Sequence, residues 1–247
     1  MSNNSQGNEP HYRGSFFIGA RSDMADMFRR VHKYYDRFNH LFSFGNDIRW
    51  RRKSVKLLQF KDSDTVLDFG AGTGDFTITI RKTAEARIIA LDLVMEMFDR
   101  FKSKLTKHNM LGVDMVIGDG ETLPFPDGVF DGVVAGFVGR NLFDLELGLR
   151  EILRVLKSGG RLGFLEFSKP VNPIVRAISW IYFRLIVAFI GNLFMPKDFP
   201  AYSYLIDSVE RFYTVNELSA IFKKTGFTII CPYRFNLGTV ILMMGEK

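Results

Sequence analysis

The amino-acid sequence predicts a doubly wound α/β fold, in which helices cover both faces of a mostly parallel sheet. The first indication is that short runs rich in β-branched residues alternate with helical patterns through most of the 247 residues. The second is that glycines cluster where the first of these runs gives way to a helix, and acidic residues follow the next two runs. A hydrophobic content of 47% with 24% charged residues supplies a core and excludes a disordered chain.

The N-terminal part is predicted to contain a tail and a helical segment. Residues 1–20 are expected to be a disordered tail, because Asn, Ser, Gln and Gly dominate their first half. Apolar residues then recur at helical spacing from Met24 to Leu41. We therefore predict that residues 21–60 form a helical lid ahead of the main domain.

Residues 61–247 are assigned to one α/β domain. Its parallel strands are predicted over Thr65–Phe69, Arg87–Asp92, Met115–Gly118, Gly132–Phe137 and Arg161–Phe167. Its helices are predicted from Asp75, over Met95–Lys107, over Leu145–Leu156 with Gly159-Gly160 as its end, and from a capping box at Thr214. An antiparallel hairpin over Phe227–Pro232 and Leu237–Met244 is predicted to complete the sheet.

An apolar helical insertion over residues 171–200 interrupts this domain. Arg176 and Arg184 divide its apolar run, and the uncharged remainder is shorter than the ~20 residues that a membrane span needs. We therefore expect a peripheral apolar surface. The residues expected on it are Ile174, Ile178, Ile181, Leu185 and Phe189.

Charge and cysteine content bear on the compartment. The single cysteine, Cys231, excludes an internal disulfide and a cysteine zinc cluster, which fits a reducing environment. The N-terminal residues show no export signal, so we expect a cytoplasmic protein with a peripheral position on the inner face of the membrane. A formal charge of +6 suits nucleic acid and an anionic membrane equally, so charge alone does not choose between them.

The glycine-rich turn Asp68-Phe69-Gly70-Ala71-Gly72-Thr73-Gly74-Asp75 carries the clearest chemical signal. A dinucleotide site would have the spacing G-x-G-x-x-G and would place a pyrophosphate on the helix N-terminus. The carboxylates that flank this turn repel phosphate and suit the ammonium end of an amino-acid ligand. A tight turn without a ligand is the alternative.

Asp92 ends the second predicted strand. An acidic residue at that place can accept hydrogen bonds from both ribose hydroxyls of an adenosine. An N-cap for the following helix is the alternative interpretation.

The turn resembles the first motif of class I S-adenosylmethionine-dependent methyltransferases. The resemblance implies a Rossmann-like sheet with S-adenosyl-L-methionine as cofactor. It also implies that Asp119 lies next to the adenine, with a plain loop as the alternative, and that Asn141 touches the cofactor or its waters. The implied cofactor-binding residues are Asp68, Gly70, Gly72, Thr73, Gly74, Asp92, Asp119, Gly120 and Asn141.

Two longer segments narrow the resemblance to one family. Tyr35–Ser43 with Trp50, and Arg154–Pro170, are similar to the two signatures of the UbiE-type C-methyltransferases of menaquinone and ubiquinone biosynthesis. The likeness extends from about Val31 to the C-terminus. It departs at Phe38, Asp47, Ser158 and the segment 136–139, and the change at Asp47 bears on which quinol is methylated.

This resemblance implies an enzyme that methylates a carbon of a polyprenylated quinol, either demethylmenaquinol or the benzoquinol of the ubiquinone pathway. It implies a partner membrane surface or quinone-biosynthesis complex, with no nucleic acid and no metal. A methyltransferase acting on RNA or another small molecule is one alternative. A non-catalytic cofactor-binding module at a membrane surface is the other.

Arg140 is the candidate catalytic residue, because it stands just beyond the fourth predicted strand at the carboxyl edge of the sheet. It would stabilise the phenolate of the quinol or assist proton removal through a water. A surface position, or a salt bridge to Asp144, is the alternative.

A basic cluster follows the first helices and is interpreted as a surface for anionic lipid, with a solvated helix face as the alternative. It consists of Arg49, Arg51, Arg52, Lys53 and Lys56 around Trp50. The four histidines, His11, His32, His40 and His108, show no metal-ligand spacing.

Overall fold

A single mixed sheet organises the chain in the computed structural model, which describes residues 21–187, 189 and 201–247. Its strands are β1 (Thr65–Phe69), β2 (Arg87–Asp92), β3 (Val113–Ile117), β4 (Phe130–Gly136), β5 (Leu156–Phe167), β6 (Thr228–Phe235) and β7 (Val240–Glu246). Their order is β3-β2-β1-β4-β5-β7-β6, and β7 runs antiparallel to both its neighbours. The chain therefore reverses its direction of travel between β1 and β4, which creates a topological switch point.

The helices alternate with the strands. They are α1 (Arg21–Val31), α2 (Tyr35–Phe42), α3 (Asn46–Leu58), α4 (Asp75–Arg81), α5 (Met95–Lys107), α6 (Leu145–Val155), α7 (Pro173–Tyr182), α8 (Ala201–Arg211) and α9 (Val215–Thr225). A π-helical turn, Phe183–Val187, continues α7. Among the residues that the structure describes, none of these helices has the length and hydropathy of a membrane span.

The core lies on both faces of the sheet because side chains alternate along each strand. Val66 of β1 belongs to a cluster with residues of α1 to α4 and α8, whereas Leu67 belongs to a cluster with α6 and α9. The three N-terminal helices therefore pack directly on one face of the sheet. Tail residues 1–20, and residue 188 with residues 190–200 of the predicted insertion, lie outside the described residues.

Local signals fix several helix ends. The capping box is confirmed, because the Thr214 hydroxyl accepts the Glu217 amide and the Glu217 carboxylate accepts the Thr214 amide. The Asn172 side chain caps α7, whose first residue is Pro173. The C-terminal hairpin is present as β6 and β7.

The predicted end of α6 is wrong. The helix ends at Val155, and β5 begins at once with Leu156, which is fully buried and pairs with Phe130. Gly159, with φ +75°, therefore lies inside the long strand β5 instead of ending the helix. Burial of Leu156 in the sheet overrides the local glycine signal.

Helix α3 approaches the sheet closely because two strand residues lack a side chain. A Cβ placed on Gly163 would lie 2.4 Å from a methyl group of Leu58, and one on Gly132 would lie 2.3 Å from the Phe60 ring. Leu58 is itself buried and has little room to move. These glycines determine how closely α3 and Phe60, which follows it, approach the sheet.

The contact between Gly163 and Leu58 gives a stability prediction. Gly163→Ala should lower the free energy of unfolding by about 1–3 kcal/mol, because the new methyl group overpacks Leu58. Leu58→Ala alone should cost about 2–5 kcal/mol, and the double variant should lose less than the sum because the vacated space accepts the methyl group. Urea unfolding measures all three, and additive losses would contradict this account of the packing.

Candidate functional site

A cleft opens at the carboxyl edge of the sheet, at the switch point between β1 and β4. Its empty volume is about 780 Å³, including the part that is open to solvent. Its walls come from the turns after β1 to β4 and from α1 and α2. The predicted residues that line it are Gly70, Gly72, Asp92, Asp119, Gly120 and Asn141.

Two glycines of the turn after β1 have different roles. Both have left-handed backbones, with φ +54° at Gly72 and +83° at Gly74. A Cβ on Gly72 would meet no protein atom within 4 Å, whereas one on Gly74 would lie 2.1 Å from the Phe101 ring. Gly72 therefore leaves open space beside the cleft, and Gly74 lets α5 pack against the turn.

Asp92 holds the glycine turn from the end of β2. Its carboxylate accepts the amide of Gly72 at 2.7 Å and the amide of Val94 at 2.8 Å. Burial raises the pKa of Asp92, and the two amides oppose part of that shift. The N-cap of α5 is Val94 and not Asp92, so the carboxylate remains in the wall of the cleft.

The turns after β3 and β4 form the other wall. The Asp119 carboxylate accepts the Glu121 amide at 2.9 Å, which closes the turn that contains Gly120. The Asn141 side chain accepts the hydroxyl of Tyr204 from α8 at 2.6 Å. Both acidic and amide groups thus face the cleft from ordered turns.

Three of the predicted cofactor residues do not line the cleft. Asp68 is buried behind the turn, where it accepts the amide of Thr77 at 3.0 Å and its hydroxyl at 2.7 Å. The expectation that Asp68 faces an ammonium group is therefore not what the geometry gives. Thr73 and Gly74 also lie outside the cleft wall, Thr73 because its buried hydroxyl donates to Asp36.

Asp36 was missed by the sequence analysis. Its buried carboxylate accepts hydrogen bonds from Thr73, from Arg100 at 3.3 Å and from Lys104 at 3.4 Å. Lys104 also pairs with Asp75. This network, which we call the Asp36 cluster, joins α2 to the glycine turn and to α5. An acidic residue inside the apolar periodicity of α2 was the available signal.

A second cavity, with an empty volume of about 310 Å³, adjoins the cleft. Tyr35 and Phe137 line both spaces, so they form the common wall. Arg140 is buried in the second space, where its Nη1 donates to Glu166 at 2.9 Å and to the Phe137 carbonyl at 2.6 Å. We call this space the Arg140 cavity.

The Arg140 guanidinium has a buried N–H group that lacks an acceptor in the part of the chain that the structure describes. Its buried Nε has no hydrogen-bond partner among the described residues. A buried donor without an acceptor is costly, so an oxygen-bearing ligand in this cavity would satisfy it. The alternative salt bridge to Asp144 is wrong, because that carboxylate caps α6 through the Leu147 amide.

The Arg140 cavity is bordered by side chains of both charges and by a phenol. Burial raises the pKa of the Tyr35 phenol, and the charges of Arg140 and Arg51 oppose this shift. Asp47, one of the departures from the family pattern, also borders the cavity and accepts Arg51 at 3.1 Å. Cations therefore surround the phenol on two sides.

Part of the predicted basic surface is internal. Arg51 and Trp50 are buried in the interior, and Arg51 contacts the rings of Phe76 and Phe137. The sequence interpretation that placed both in a lipid-facing cluster is therefore wrong for these two residues. Arg49, Arg52 and Lys56 are exposed.

One group of side chains has the composition of a metal site. The ligand atoms of His40, Asp47 and Asp75 lie within 4.8 Å of one another. The hydrogen bond from His40 to Asp47, 2.8 Å long, raises the pKa of the imidazole. Arg51 and Lys104 pair with the two carboxylates. Because two cations already balance the two carboxylates, this group forms an ion-pair network.

Known proteins resemble the chain in sequence and in fold. The pattern of the ubiE/COQ5 methyltransferase family matches residues 19–247. The ubiquinone/menaquinone biosynthesis C-methyltransferase UbiE of Geobacter sulfurreducens is 37% identical over 225 residues, which are 90% of this chain and 87% of that protein. The demethylmenaquinone methyltransferase of Thermus thermophilus is also 37% identical over 225 residues, covering 90% and 100%.

A solved structure supports the fold. The SAM-dependent methyltransferase from Aquifex aeolicus superposes with a TM-score of 0.58 and 19% identity, covering 79% of this chain and 88% of that one. The predicted class I methyltransferase sheet is confirmed by this likeness.

The position of Asp68 gives a pH prediction. Burial raises the pKa of Asp68 from 3.8 to about 6, so between these values the folded state holds a proton that the unfolded chain has lost. Stability therefore falls as pH rises through this window, by about 3 kcal/mol in total. Asp68→Asn removes this titration because an amide does not ionise. The amide oxygen can still accept the hydrogen bonds from Thr77.

The unfolding free energy of the Asp68→Asn variant, relative to the unmodified chain, should therefore increase by about 2.5 kcal/mol between about pH 4 and pH 7.5. Urea unfolding at both pH values measures the difference. A difference that stays constant with pH would contradict the assigned titration.

Proposed function

The chain belongs to the ubiE/COQ5 methyltransferase family, and we propose that it methylates a ring carbon of a polyprenylated quinol with S-adenosyl-L-methionine as donor. The names of its relatives place them in menaquinone and ubiquinone biosynthesis. Demethylmenaquinol and the benzoquinol of the ubiquinone pathway are the two candidate acceptors. The observation that carries the proposal is that the cleft and the Arg140 cavity meet at Tyr35 and Phe137.

The residues of the cleft fit the cofactor. Open space at Gly72 admits a ligand against the turn, and the Asp92 carboxylate retains lone pairs for ribose hydroxyls. Apolar side chains, among them Leu91, Val94 and Met97, line the cleft and suit an adenine ring. When bound, S-adenosyl-L-methionine supplies an electrophilic methyl group.

Arg140 is proposed to act on the acceptor. Glu166 holds the guanidinium through Nη1, which leaves the Nε proton for a quinol oxygen. A positive charge and a fixed donor in a buried cavity stabilise the phenolate that forms when this oxygen loses its proton. The phenolate would make the ring carbon nucleophilic toward the methyl group of S-adenosyl-L-methionine; the transfer would release S-adenosylhomocysteine, and the hydroxyl proton and the ring proton would pass to water.

The rival functions fit these residues less well. An RNA methyltransferase needs access for a polymer, whereas the Arg140 cavity is small and walled by Tyr35, Trp50 and Phe167. A non-catalytic module gains nothing from a buried guanidinium with a free N–H. A quinol head group offers an oxygen to the unsatisfied Nε donor.

We also propose that α7 docks on the membrane surface. Its apolar side chains are exposed, with Ile174 at 69% and Ile178 at 62% of their full accessible surface. Ile181, Leu185 and Phe189 are exposed as well. Arg49, Arg52 and Lys56 add exposed positive charge, each worth about 1 kcal/mol close to an anionic surface.

Substitutions at Arg140 should lower the rate of methyl transfer, and substitutions at Asp92 should lower the affinity for the cofactor. Arg140→Lys keeps a charge for Glu166 but loses the Nε donor, so kcat should fall by about 100-fold or more. Its affinity for S-adenosyl-L-methionine should change by less than about threefold, because Arg140 lies in the other cavity. Steady-state assays with both quinols and calorimetry measure the two effects.

Asp92→Ala is the complementary variant. It should weaken cofactor binding by about 1.5–3 kcal/mol, because hydrogen bonds to a charged group are lost. Unchanged turnover in Arg140→Lys at saturating quinol would remove Arg140 from the mechanism. Unchanged calorimetric affinity in folded Asp92→Ala would remove Asp92 from the cofactor site.

The membrane proposal predicts salt-sensitive binding to vesicles. The chain should sediment with anionic vesicles at low salt and be released as salt rises, because charge screening removes the basic contribution. Ile181→Glu should reduce sedimentation, whereas Leu111→Glu, which changes another exposed residue away from α7, should not. Equal sedimentation of both variants, with unchanged melting temperatures, would refute docking by α7.

A further inference from the structure

An apolar groove lies on the outer side of the Arg140 cavity. Its empty volume is about 860 Å³, and its walls include Phe44, Ile178, Tyr182 and Leu237. We propose that this groove holds the isoprenoid tail of the acceptor, an inference that rests on the proposed function. The groove would then select long-tailed acceptors over short-tailed ones.

The groove adjoins the Arg140 cavity. Phe42, Ser43, Trp50 and Phe167 line both spaces. The rings of Phe42 and Phe167 lie 6.0 Å apart, and the Arg140 guanidinium carbon lies 5.5 Å from the centre of the Phe167 ring. The side chains that separate Arg140 from the groove are therefore aromatic, and a substituent on an acceptor at Arg140 would have to pass along them to reach the groove.

The lining of the groove has the chemistry of a hydrocarbon site. None of the described residues that line it is charged. Asn46 donates to the carbonyl of Ser43, and the hydroxyls of Ser179 and Thr239 donate to backbone carbonyls as well. Phosphates, acidic peptides and nucleotides would find no charged partner there, whereas an isoprenoid chain needs none.

Two residues at the groove hold a disfavoured backbone. Phe44 has φ +51° and Leu237 has φ +57°, in the left-handed region that large side chains avoid. Their side chains are also 71% and 82% exposed, so burial within the fold does not offset the strain. A bound tail would cover both side chains.

The groove also leads toward the proposed membrane-facing helix. Val175 and Ile178 of α7 form part of its wall, and Ile178 belongs to the exposed apolar set of that helix. A tail anchored in a bilayer could enter beside α7 without crossing water. The head group would then advance past Phe42 to Arg140.

Leu237→Gly tests this assignment without endangering the fold. Glycine accepts a positive φ, so the melting temperature should stay equal or rise. The measured quantity is kcat/KM for a quinol with several isoprene units, divided by that for a quinol with one unit, in the same detergent micelles. Leu237→Gly should lower this ratio about tenfold, because apolar contacts to the tail are lost.

The matched control is Leu111→Gly. Leu111 is 83% exposed, close to the 82% of Leu237, but does not line the groove. This control should leave the ratio unchanged. A lowered ratio in Leu237→Gly alone supports the groove.

Two other results would count against the inference. An unchanged ratio in Leu237→Gly, which includes an equal loss with both acceptors, overturns the groove. If the unmodified chain methylates neither quinol, the proposed function fails, and the groove assignment falls with it.

Discussion

The Asp36 carboxylate connects the N-terminal helices to the glycine turn beside the cleft. Thr73 of the glycine turn and Arg100 and Lys104 of α5 all donate to it. A buried carboxylate is stable only with such partners, so α2 is held at one height over the turn. Tyr35, the neighbouring residue, is thereby fixed between the cleft and the Arg140 cavity.

The Arg140–Glu166 pair at the Arg140 cavity contains a second buried carboxylate that is satisfied by hydrogen bonds. Both groups are buried, and Glu166 also accepts the backbone amides of Arg140 and Phe167. The carboxylate is thus satisfied by the fold, while the Nε donor of the guanidinium has no partner within the described part of the chain. An enzyme that stabilises a developing oxyanion needs such a preorganised donor.

Much of this architecture was predictable, because periodicity and turn chemistry are local. The order of strands and helices, the capping box at Thr214 and the hairpin follow from such signals. The start of β5 could not be predicted from local signals, because it depends on the burial of Leu156 against a strand that is distant in sequence. The inward position of Arg51 was also missed, since its cost is offset by Asp47 and by two aromatic rings.

The residues predicted to bind the cofactor also differ in whether local spacing was enough to place them. Spacing located the turn after β1 and the acid after β2, which do meet in the cleft. Spacing could not show that Asp68 points at Thr77, because that contact depends on how α4 leaves the turn. Asp36 was missed for the corresponding reason, as its partners lie far along the chain.

The common wall of Tyr35 and Phe137 has a thermodynamic consequence. Because the same two side chains border both spaces, a ligand that shifts them in one space changes the binding free energy in the other. Linkage requires this effect to be reciprocal, so donor and acceptor would alter each other's dissociation constant by one and the same factor. Tyr35 and Phe137 would thus couple the two binding equilibria to the same extent, whichever ligand binds first.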